Sequence, residues 1–247
     1  MHRSFSPNLS TETTALEITD TGEVHHLKNV LRLKKDSVVT VFNGKGVEGK
    51  ATIQSISDSC IKLQISETCV EAPKKLVISI ACAIPKKAKF ETIIEKCTEL
   101  GVDEIIPLKT ERTELALSAV RMAKKNSRYQ AVAINAAKQS KRKTVPLIHP
   151  VTEFKKALAT FCGPETVSFI PCLLGKRDSL ADTFQKFSTP PKKIIFFIGP
   201  EGDFTPEEVQ AAVQSGCIPV SLGETILKVD TAAISAVSFA MFFFGKN

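Results

Sequence analysis

Three apolar segments of the sequence each end in a glycine-containing loop, and these loops are the first candidates for binding a ligand. They are Leu173-Leu174-Gly175, Ile198-Gly199-Pro200-Glu201-Gly202 and Ser221-Leu222-Gly223. Glycine lets backbone groups approach a ligand closely, and parallel strands bring their carboxyl ends to one edge of a sheet. The loops therefore predict one largely apolar site lined by backbone groups, with ordinary strand-to-helix turns as the alternative.

A fourth loop carries a candidate charged group, whereas no nucleophile stands out. Ile105–Leu108 is followed by Lys109-Thr110-Glu111-Arg112, so Arg112 is either a site residue or one half of a surface ion pair. No G-x-S-x-G elbow occurs, and no Lys-Ser or Lys-Thr pair follows Gly202 as it would in a phosphate-binding loop. These motifs by themselves therefore indicate no catalytic nucleophile.

The net charge of +7 is concentrated in one stretch of the chain. Residues 86–143 contain 14 Lys or Arg against 7 Asp or Glu, which accounts for the whole excess. A helix predicted over Arg128–Arg142 carries a polar stripe at helical spacing, formed by Asn135, Lys138, Gln139 and Arg142. Such a stripe suits phosphates and base edges, so a polyanion partner is indicated. A solvated lysine-rich face is the alternative.

Hydrophobic periodicity divides the chain near residue 72. Alternating segments such as Val47–Ile56 and Cys60–Ile65 predict a small β-barrel over 1–72. After the polar segment Glu71–Lys75, apolar and helical segments alternate, which predicts an α/β domain with a parallel sheet over 73–247. The expected strands are Leu76–Cys82, Ile105–Leu108, Val167–Leu174, Ile194–Ile198 and Ile218–Leu222; the expected helices are Phe90–Leu100, Arg128–Ser140, Pro206–Ser215 and Thr231–Phe244; Ser179–Lys193 is expected to be a loop.

Composition excludes several classes of protein. With 43% hydrophobic and 24% charged residues, the chain is globular rather than disordered. Its longest apolar stretch, Ala232–Phe244, is shorter than the about 20 residues that span a bilayer, so we expect a buried helix and no membrane span. The seven cysteines form no C-x-x-C, and the four histidines have no ligand spacing with them. Reduced thiols, no metal and a cytoplasmic location are therefore expected.

The order and spacing of many short motifs resemble one family, the RsmE-type 16S ribosomal RNA uridine N3-methyltransferases of the SPOUT superfamily. The motifs are Arg3 and Phe5, His25–Leu27 with Val30–Leu33, Phe42–Gly46, Glu95–Val102, Glu111-Arg112, Gln139-Ser140 with Arg142, Gly199–Gly202, Ser221–Gly223, and Ile226-Leu227 with Thr231–Ala233. The resemblance covers nearly the whole chain.

This resemblance implies a PUA-like RNA-binding β-barrel followed by a trefoil-knotted methyltransferase domain that works as a homodimer. It implies S-adenosylmethionine as the cofactor, and 16S ribosomal RNA or the small ribosomal subunit as the partner. The cofactor-binding residues would be Leu173, Leu174, Gly175, Ile198, Gly199, Pro200, Glu201, Gly202, Ser221, Leu222, Gly223, Ile226 and Leu227.

Transfer of a methyl group to uracil N3 needs a positioned nucleotide, removal of the N3 proton and donors for the resulting anion. Lys228 and Arg112 are the expected electrostatic groups, and Glu201, Asp230 or water takes the proton. The residues expected to contact RNA are Arg3, His25, Arg32, Arg112, Lys138, Gln139 and Arg142.

The sequence departs from the family pattern at a few positions. Asp203 stands where a second glycine is usual, and Asn135 and Lys138 stand at usually acidic positions. Lys228 replaces an arginine and Asp230 a glutamate, so both charges are kept. The alternatives to uracil N3 are methylation of a ribose 2′-hydroxyl or of a guanine, and a non-catalytic RNA-binding protein that assists ribosome assembly.

Overall fold

The computed structural model describes residues 2–85, 89–113 and 119–245. The chain divides into two compact units. The first unit contains Met1–Pro73 and Ile134–Val145, and the second contains Lys74–Ala133 and Pro146–Asn247. The assignment of separate functions to 1–72 and 73–247 stays a prediction.

The first unit is built on a curled five-stranded sheet in the order β1-β3-β4-β5-β2. Its strands are β1 (His2–Phe5), β2 (Ala15–Ile18), β3 (Val38–Phe42), β4 (Val47–Ile56) and β5 (Ile61–Val70). Register shifts between Lys50 and Ala51 and between Ile53 and Ser55 interrupt the β4–β5 ladder. Irregularities of this kind bend a sheet, so the concave face can surround an apolar core. The predicted small β-barrel is thus confirmed as a half-barrel.

A short helical segment follows β2 in the first unit. Helix α1 (Thr21–His25) runs into a π-helical turn at His26–Val30, and Arg32 then adopts a left-handed backbone with φ of 52°. Val24 and Leu27 fix this segment to the barrel because both are buried. The segment is therefore helical as far as Val30.

The segment Ile134–Val145 belongs to the first unit although it lies 61 residues beyond Pro73. Thr144 forms isolated bridges with Gly44 and Lys45, and the Val145 N–H donates to the Gly44 carbonyl at 2.9 Å. An ion pair between Lys138 and Glu23 adds a side-chain contact. The carboxyl-terminal end of the basic stretch is therefore part of the barrel unit.

The second unit contains a parallel sheet in the order β11-β13-β10-β12-β6-β7-β8, with β9 paired to β7. Its strands are β6 (Val77–Ala83), β7 (Glu104–Lys109), β8 (Leu147–Ile148), β9 (Thr152–Glu153), β10 (Thr166–Pro171), β11 (Asp178–Ser179), β12 (Lys193–Ile198) and β13 (Ile218–Ser221). Its helices are α2 (Lys89–Glu99), α3 (Ala119–Gln139), which continues into the first unit, α4 (Phe154–Phe161), α5 (Leu180–Gln185), α6 (Pro206–Gln214) and α7 (Val229–Phe244). The predicted α/β class with a parallel sheet is confirmed.

Some sequence-based boundaries were wrong. The predicted loop Ser179–Lys193 contains helix α5, which Ser179 caps by accepting a hydrogen bond from the Asp182 N–H. Helix α4 was missed, although Phe154, Ala157 and Leu158 repeat at helical spacing and are buried. Strand β10 ends at Pro171 instead of Leu174. The residues after it are thereby free to form the loop predicted to bind a ligand.

The carboxyl-terminal helix is buried along one side, as the sequence predicts. Ala233, Ala236, Val237 and Ala240 of α7 have no exposed surface, whereas Phe242 is 68% exposed. Within the described ranges, no helix is long and apolar enough to cross a membrane. All seven cysteines are free thiols, but only four of them are buried, namely Cys82, Cys97, Cys172 and Cys217.

Candidate ligand site

A pocket lies where the adjacent parallel strands β10, β12 and β13 end, beside the start of α7. The space between its walls, including the open mouth, is about 610 Å³. It is lined by Pro171, Cys172, Leu173, Ile198, Gly199, Pro200, Glu201, Asp203, Ser221, Leu222, Gly223, Thr225, Ile226, Leu227, Val229 and Ala232. The structure thus brings together the three glycine-containing loops. Leu174, Gly175 and Gly202 of the predicted set do not line the pocket.

The second loop, Ile198–Asp203, is held in shape by Arg112. Its Nη1 donates to the Gly202 carbonyl, and it lies 3.5 Å from the Asp203 carbonyl oxygen. The loop that carries Arg112 is itself fixed, because the Glu111 N–H donates to Glu208 at 2.9 Å. Arg112 is therefore attached to the backbone of this loop.

Helix α6 supplies the other fixed point of this loop. Thr205 and Glu208 form a capping box at its start, with Pro206 in the first turn. Phe204 is fully buried, and a Cβ placed on Gly199 would lie 3.1 Å from its ring. The backbone at Gly199 therefore passes close to this ring, which leaves little room for a side chain.

The first loop, which begins at Leu173, is held through its backbone by two side chains. The Leu173 N–H donates to Oδ2 of Asp203 at 2.8 Å. On its other side, Nη1 of Arg177 donates to the carbonyls of Leu173 at 2.6 Å and of Gly175 at 3.2 Å. Burial and the charge of Asp203 raise the pKa of the Cys172 thiol. The thiol next to the pocket is therefore protonated at neutral pH.

The third loop leads from Ser221 to helix α7 and carries two predicted catalytic groups. Oγ of Ser221 donates to the Gly223 carbonyl at 2.9 Å, which stabilises the turn. Lys228 is exposed at the N-cap position of α7 and forms no ion pair with a carboxylate of the described residues. Asp230 has a buried Oδ1 without a hydrogen-bond partner among the described residues.

The two candidate carboxylates of the site share a neighbour at the end of β6. Burial, followed by the charges of Cys97, Asp230 and Glu201, raises the pKa of the Cys82 thiol well above its usual range. Glu201 and Asp230 therefore both lie close enough to act on Cys82 through their charges. Glu201 itself lines the pocket, whereas Asp230 follows the lining residue Val229.

Two of the side chains predicted to contact RNA are instead paired with carboxylates of the first unit. Arg3 pairs with Glu48 at 2.6 Å, lies over the ring of Phe42 and is only 7% exposed. Burial lowers the pKa of Arg3, although Glu48 opposes this effect. Lys138 pairs with Glu23 and is 13% exposed. Neither cation offers a free charge to a ligand.

The other predicted RNA contacts are more open. His25 and Arg32 are exposed on the segment around the π-helical turn, where Nδ1 of His25 lies 2.9 Å from Nδ2 of Asn29. Gln139 is exposed, while Arg142 is partly buried and donates to Thr144 at 3.1 Å. No group of three or more His, Cys, Asp or Glu in the described part of the chain is placed to hold a metal ion.

Sequence reasoning missed six residues that line the pocket, namely Pro171, Cys172, Asp203, Thr225, Val229 and Ala232, and it missed Arg177, which holds the first loop. Asp203 has a φ of 59° and Arg177 binds backbone carbonyls, neither of which has a local sequence signal. The usual glycine at position 203 in the resembling family was the one indication, because left-handed backbone favours glycine.

The fold and pocket define an α/β protein that binds its ligand through three loops at the end of a parallel sheet, joined to a curled β-sheet unit. The family model described as an RNA methyltransferase domain matches residues 72–241. A second model, described as an RNA methyltransferase PUA domain, matches residues 18–66.

Relatives agree with these matches. The ribosomal RNA small subunit methyltransferase E of Synechocystis sp. is 34% identical, with 88% of this chain and 70% of the relative covered. The ribosomal RNA small subunit methyltransferase E of Bacillus subtilis is 31% identical, with 88% of this chain and 87% of the relative covered. The structure of the one from Neisseria gonorrhoeae, bound to S-adenosyl methionine, has a TM-score of 0.87 and 28% identity over 99% of this chain and 98% of that one. The chain therefore belongs to the RNA methyltransferase family, in the group of the ribosomal RNA small subunit methyltransferases E, as its motifs predict.

Proposed function

We propose that this protein transfers a methyl group from S-adenosylmethionine to N3 of uracil at one uridine of 16S ribosomal RNA. The observation that carries the proposal is the pocket at the ends of β10, β12 and β13, in a chain whose relatives are ribosomal RNA small subunit methyltransferases E. The relative from Neisseria gonorrhoeae is a solved structure with S-adenosyl methionine bound.

The described residues fit this cofactor. The pocket opens to solvent where three strand-end loops meet the start of α7, so that an extended small molecule can enter from its mouth. Its lining combines apolar residues such as Ile198 and Leu227 with polar residues such as Ser221 and Asp203, which suits an adenosine with a polar tail. The predicted loops Leu173–Gly175, Ile198–Gly202 and Ser221–Leu227 would hold it. When bound, it supplies an electrophilic methyl group on a positively charged sulfur.

Removal of the N3 proton needs an acceptor, because the neutral imide nitrogen of uracil is a poor nucleophile. Asp230 suits this role, since its buried Oδ1 has no hydrogen-bond partner among the described residues and its neighbour Val229 lines the pocket. Glu201 lines the pocket directly and is the second candidate, with water as the third. The proton would pass to one of these oxygens. The N3 lone pair would then form the new bond to the methyl carbon while the bond between that carbon and sulfur breaks, and its electron pair would stay on the sulfur as a neutral thioether.

Negative charge that spreads to O2 and O4 of uracil needs a cation. Lys228 serves this role, because its ammonium is exposed beside the pocket loop and is not paired with a described carboxylate. Arg112 acts differently, since its Nη1 is bound to the Gly202 carbonyl. Arg112 therefore positions the second loop, and Lys228 is the group that stabilises the anion.

RNA contacts come from both the PUA-like unit and the basic stretch. We assign them to the exposed His25, Arg32 and Gln139, while Arg3 and Lys138 support the fold. A flipped-out uridine suits such recognition, because unstacked bases expose their edges. The substrate is 16S ribosomal RNA, free or in the small ribosomal subunit, which places the protein in the cytoplasm.

A second copy of this chain is the protein partner that we propose. Among the exposed large apolar side chains of the second unit are Leu173, Leu174, Ile226, Phe242 and Phe243. Water-exposed apolar groups of this size favour association. A homodimer would cover them without a further protein.

Analysis of methylated nucleosides tests the function. Small subunits or 16S ribosomal RNA from cells that lack the protein are incubated with it and with methyl-labelled S-adenosylmethionine, and then digested to nucleosides. Mass spectrometry should find 3-methyluridine at one site. A 2′-O-methylated nucleoside or a methylguanosine would instead identify an RNA methyltransferase of another specificity, and tight RNA binding without any label would identify a non-catalytic binding protein.

A further inference from the structure

Asp203 adopts a backbone conformation that its residue type rarely takes. Its φ is 59°, in the left-handed region, and of the described non-glycine residues only Arg32, Asp36 and Lys141 share a positive φ. The Asp203 N–H donates to the Pro200 carbonyl at 2.9 Å, which closes a tight turn at the end of the second loop. Glycine would satisfy this turn with less strain, so the aspartate side chain must be explained separately.

The side chain of Asp203 leaves its own loop and contacts the first loop. Its Oδ2 accepts the hydrogen bond from the Leu173 N–H at 2.8 Å, across 30 positions of sequence. Leu173 is the first residue after the last ladder bond of this strand, in which the Cys172 N–H donates to the Val220 carbonyl at 3.3 Å. The Asp203 carboxylate therefore accepts the backbone hydrogen bond of the next residue after the sheet ladder ends.

The first loop is fixed on both sides once this contact is counted. Asp203 holds the Leu173 N–H, while Arg177 holds the carbonyls of Leu173 and Gly175. The second loop is fixed in turn by Arg112, which donates to the Gly202 carbonyl. One continuous set of hydrogen bonds thus runs from Arg112 through the turn at Asp203 to Leu173 on the pocket wall.

We propose that Asp203 is a positioning residue that couples the first and second loops of the pocket, so that Leu173 is held in its place on the wall before the cofactor binds. This inference rests on the proposed function for the identity of the ligand. It acts through the Leu173 backbone, because a loop ordered in advance loses less conformational freedom when the ligand arrives. A glycine at position 203 would keep the turn and lose the coupling.

Two substitutions separate the hydrogen bond from the turn and from the charge. Asp203→Gly keeps the left-handed backbone and removes the acceptor, whereas Asp203→Asn keeps a carbonyl acceptor and tolerates the same backbone. The matched control is Asp36→Gly, an exposed aspartate with φ of 67° in the first unit, whose side chain makes no hydrogen bond to the described residues. All four proteins are compared as full chains.

Hydrogen exchange of the Leu173 amide, without cofactor, measures the coupling directly. We expect slow exchange in the wild type, Asp203→Asn and Asp36→Gly, and exchange at least about tenfold faster in Asp203→Gly, as for a lost hydrogen bond to a charged group. Calorimetry with S-adenosylmethionine should show affinity weakened about tenfold in Asp203→Gly only, with the melting temperature as the check on folding.

Unchanged Leu173 exchange and unchanged affinity in Asp203→Gly would overturn the proposal. So would an Asp203→Asn protein that behaves like Asp203→Gly, because the charge rather than the bond would then be responsible. A wild type that binds no S-adenosylmethionine would reject the proposed cofactor, whereas the exchange of Leu173 would still decide whether the loops are coupled.

Discussion

The predicted cationic residues differ in whether their charged groups already have a partner within the protein. Lys138 and Arg3 have carboxylate partners, and Nη1 of Arg112 is bound to a backbone carbonyl. Lys228 is exposed and pairs with no carboxylate of the described ranges. A purely structural role for Lys228 would need a surface ion pair with Asp230 or Glu224, and neither pair is formed. At the scale of single residues, Lys228 is therefore the better candidate for chemistry.

Lys228→Ala should lower methyl transfer by about ten- to a thousandfold, as for one lost electrostatic donor. Affinity for S-adenosylmethionine should barely change, because Lys228 is not among the residues that line the pocket. Lys228→Arg should stay active, since the charge is kept. Single-turnover methylation of ribosomal RNA measures the effect, with Lys155→Ala as an exposed-lysine control on α4. A wild-type rate for Lys228→Ala would remove this residue from the mechanism.

Gly199→Val should abolish binding of S-adenosylmethionine while the first unit stays folded. A Cβ at this position would lie 3.1 Å from Cδ2 of Phe204 and 3.3 Å from Oδ1 of Asp203. Even Gly199→Ala must displace a buried ring, at a cost of about 1–3 kcal/mol. Gly163→Ala is the matched control, because a Cβ there meets no atom within 4 Å. Calorimetry and thermal melting compare the three, and normal affinity for Gly199→Val would exclude this loop from the site.

Among the secondary-structure elements, helix α3 carries lysines of two kinds, one held in an ion pair and others that pair with no described carboxylate. Near its carboxyl end, Lys138 and its partner Glu23 are 13% and 14% exposed, and Glu23 also accepts from Oγ of Ser4 at 2.7 Å. Lys124 and Lys125, earlier in the helix, pair with no carboxylate of the described residues. The stripe predicted as an RNA footprint is thus partly a structural contact.

Lys138→Ala should destabilise the protein by about 1–3 kcal/mol, because Glu23 loses its partner in a half-buried place. The double variant Lys124→Ala, Lys125→Ala should leave the melting temperature unchanged, weaken RNA binding and reduce the salt slope by about 1–2. Denaturant unfolding and RNA titrations at several salt concentrations measure both. If the double variant keeps the wild-type slope, these lysines form only a solvated face.

A polar cluster lies at the amino edge of the parallel sheet, away from the pocket loops. Glu104 accepts hydrogen bonds from Ser79 at 2.6 Å and Lys193 at 2.7 Å, and His149 packs edge-on against Phe161. Burial lowers the pKa of His149 below 6.5. Burial alone would raise the pKa of Glu104, but its hydrogen bonds with Lys193 and Ser79 lower it below 4.5.

Both depressed pKa values predict that stability falls as the solution becomes acidic. The unfolded chain takes up these protons at a higher pH than the folded chain, so the contribution of His149 is lost as the pH falls below 6.5 and that of Glu104 below 4.5. The melting temperature should therefore decrease from pH 7.5 to pH 4. His149→Phe should flatten the curve of melting temperature against pH just below pH 6.5, and the exposed control His25→Phe should not. An unchanged curve for His149→Phe would contradict this assignment.

Connectivity at the scale of the whole molecule makes the pocket possible. Strand β13 pairs with both β10 and β11, so the chain returns after β12 and enters between two strands that follow each other in sequence. The first loop of the pocket connects those two strands. This order brings the third loop beside the first. The trefoil knot implied by the family resemblance stays a prediction.

The proposed homodimer can be tested at this scale. Phe242 is 68% exposed at the end of α7, so Phe242→Lys should shift the protein to a monomer at micromolar concentration, because a buried lysine charge opposes association. Val70→Lys, at a residue 62% exposed in the first unit, is the control. Analytical ultracentrifugation reads the mass, and a Phe242→Lys protein that stays dimeric would place the interface elsewhere.

The sequence by itself determined the features that depend on neighbours along the chain. The capping box at Thr205–Glu208 and the left-handed glycine that follows α2, Gly101, each need only a few consecutive residues. The apolar strands that end in glycine loops likewise indicated the site. Their signals are local because helix caps, turns and hydrophobic periodicity act over a few positions.

Only the tertiary structure decided which side chains are free to act. Lys138 is neutralised by Glu23 at a separation of 115 residues, and Asp203 reaches Leu173 across 30. The buried oxygen of Asp230 likewise depends on what packs around the start of α7. No local spacing encodes such contacts, because they arise from the order of the strands and from the packing that brings distant segments within hydrogen-bond distance.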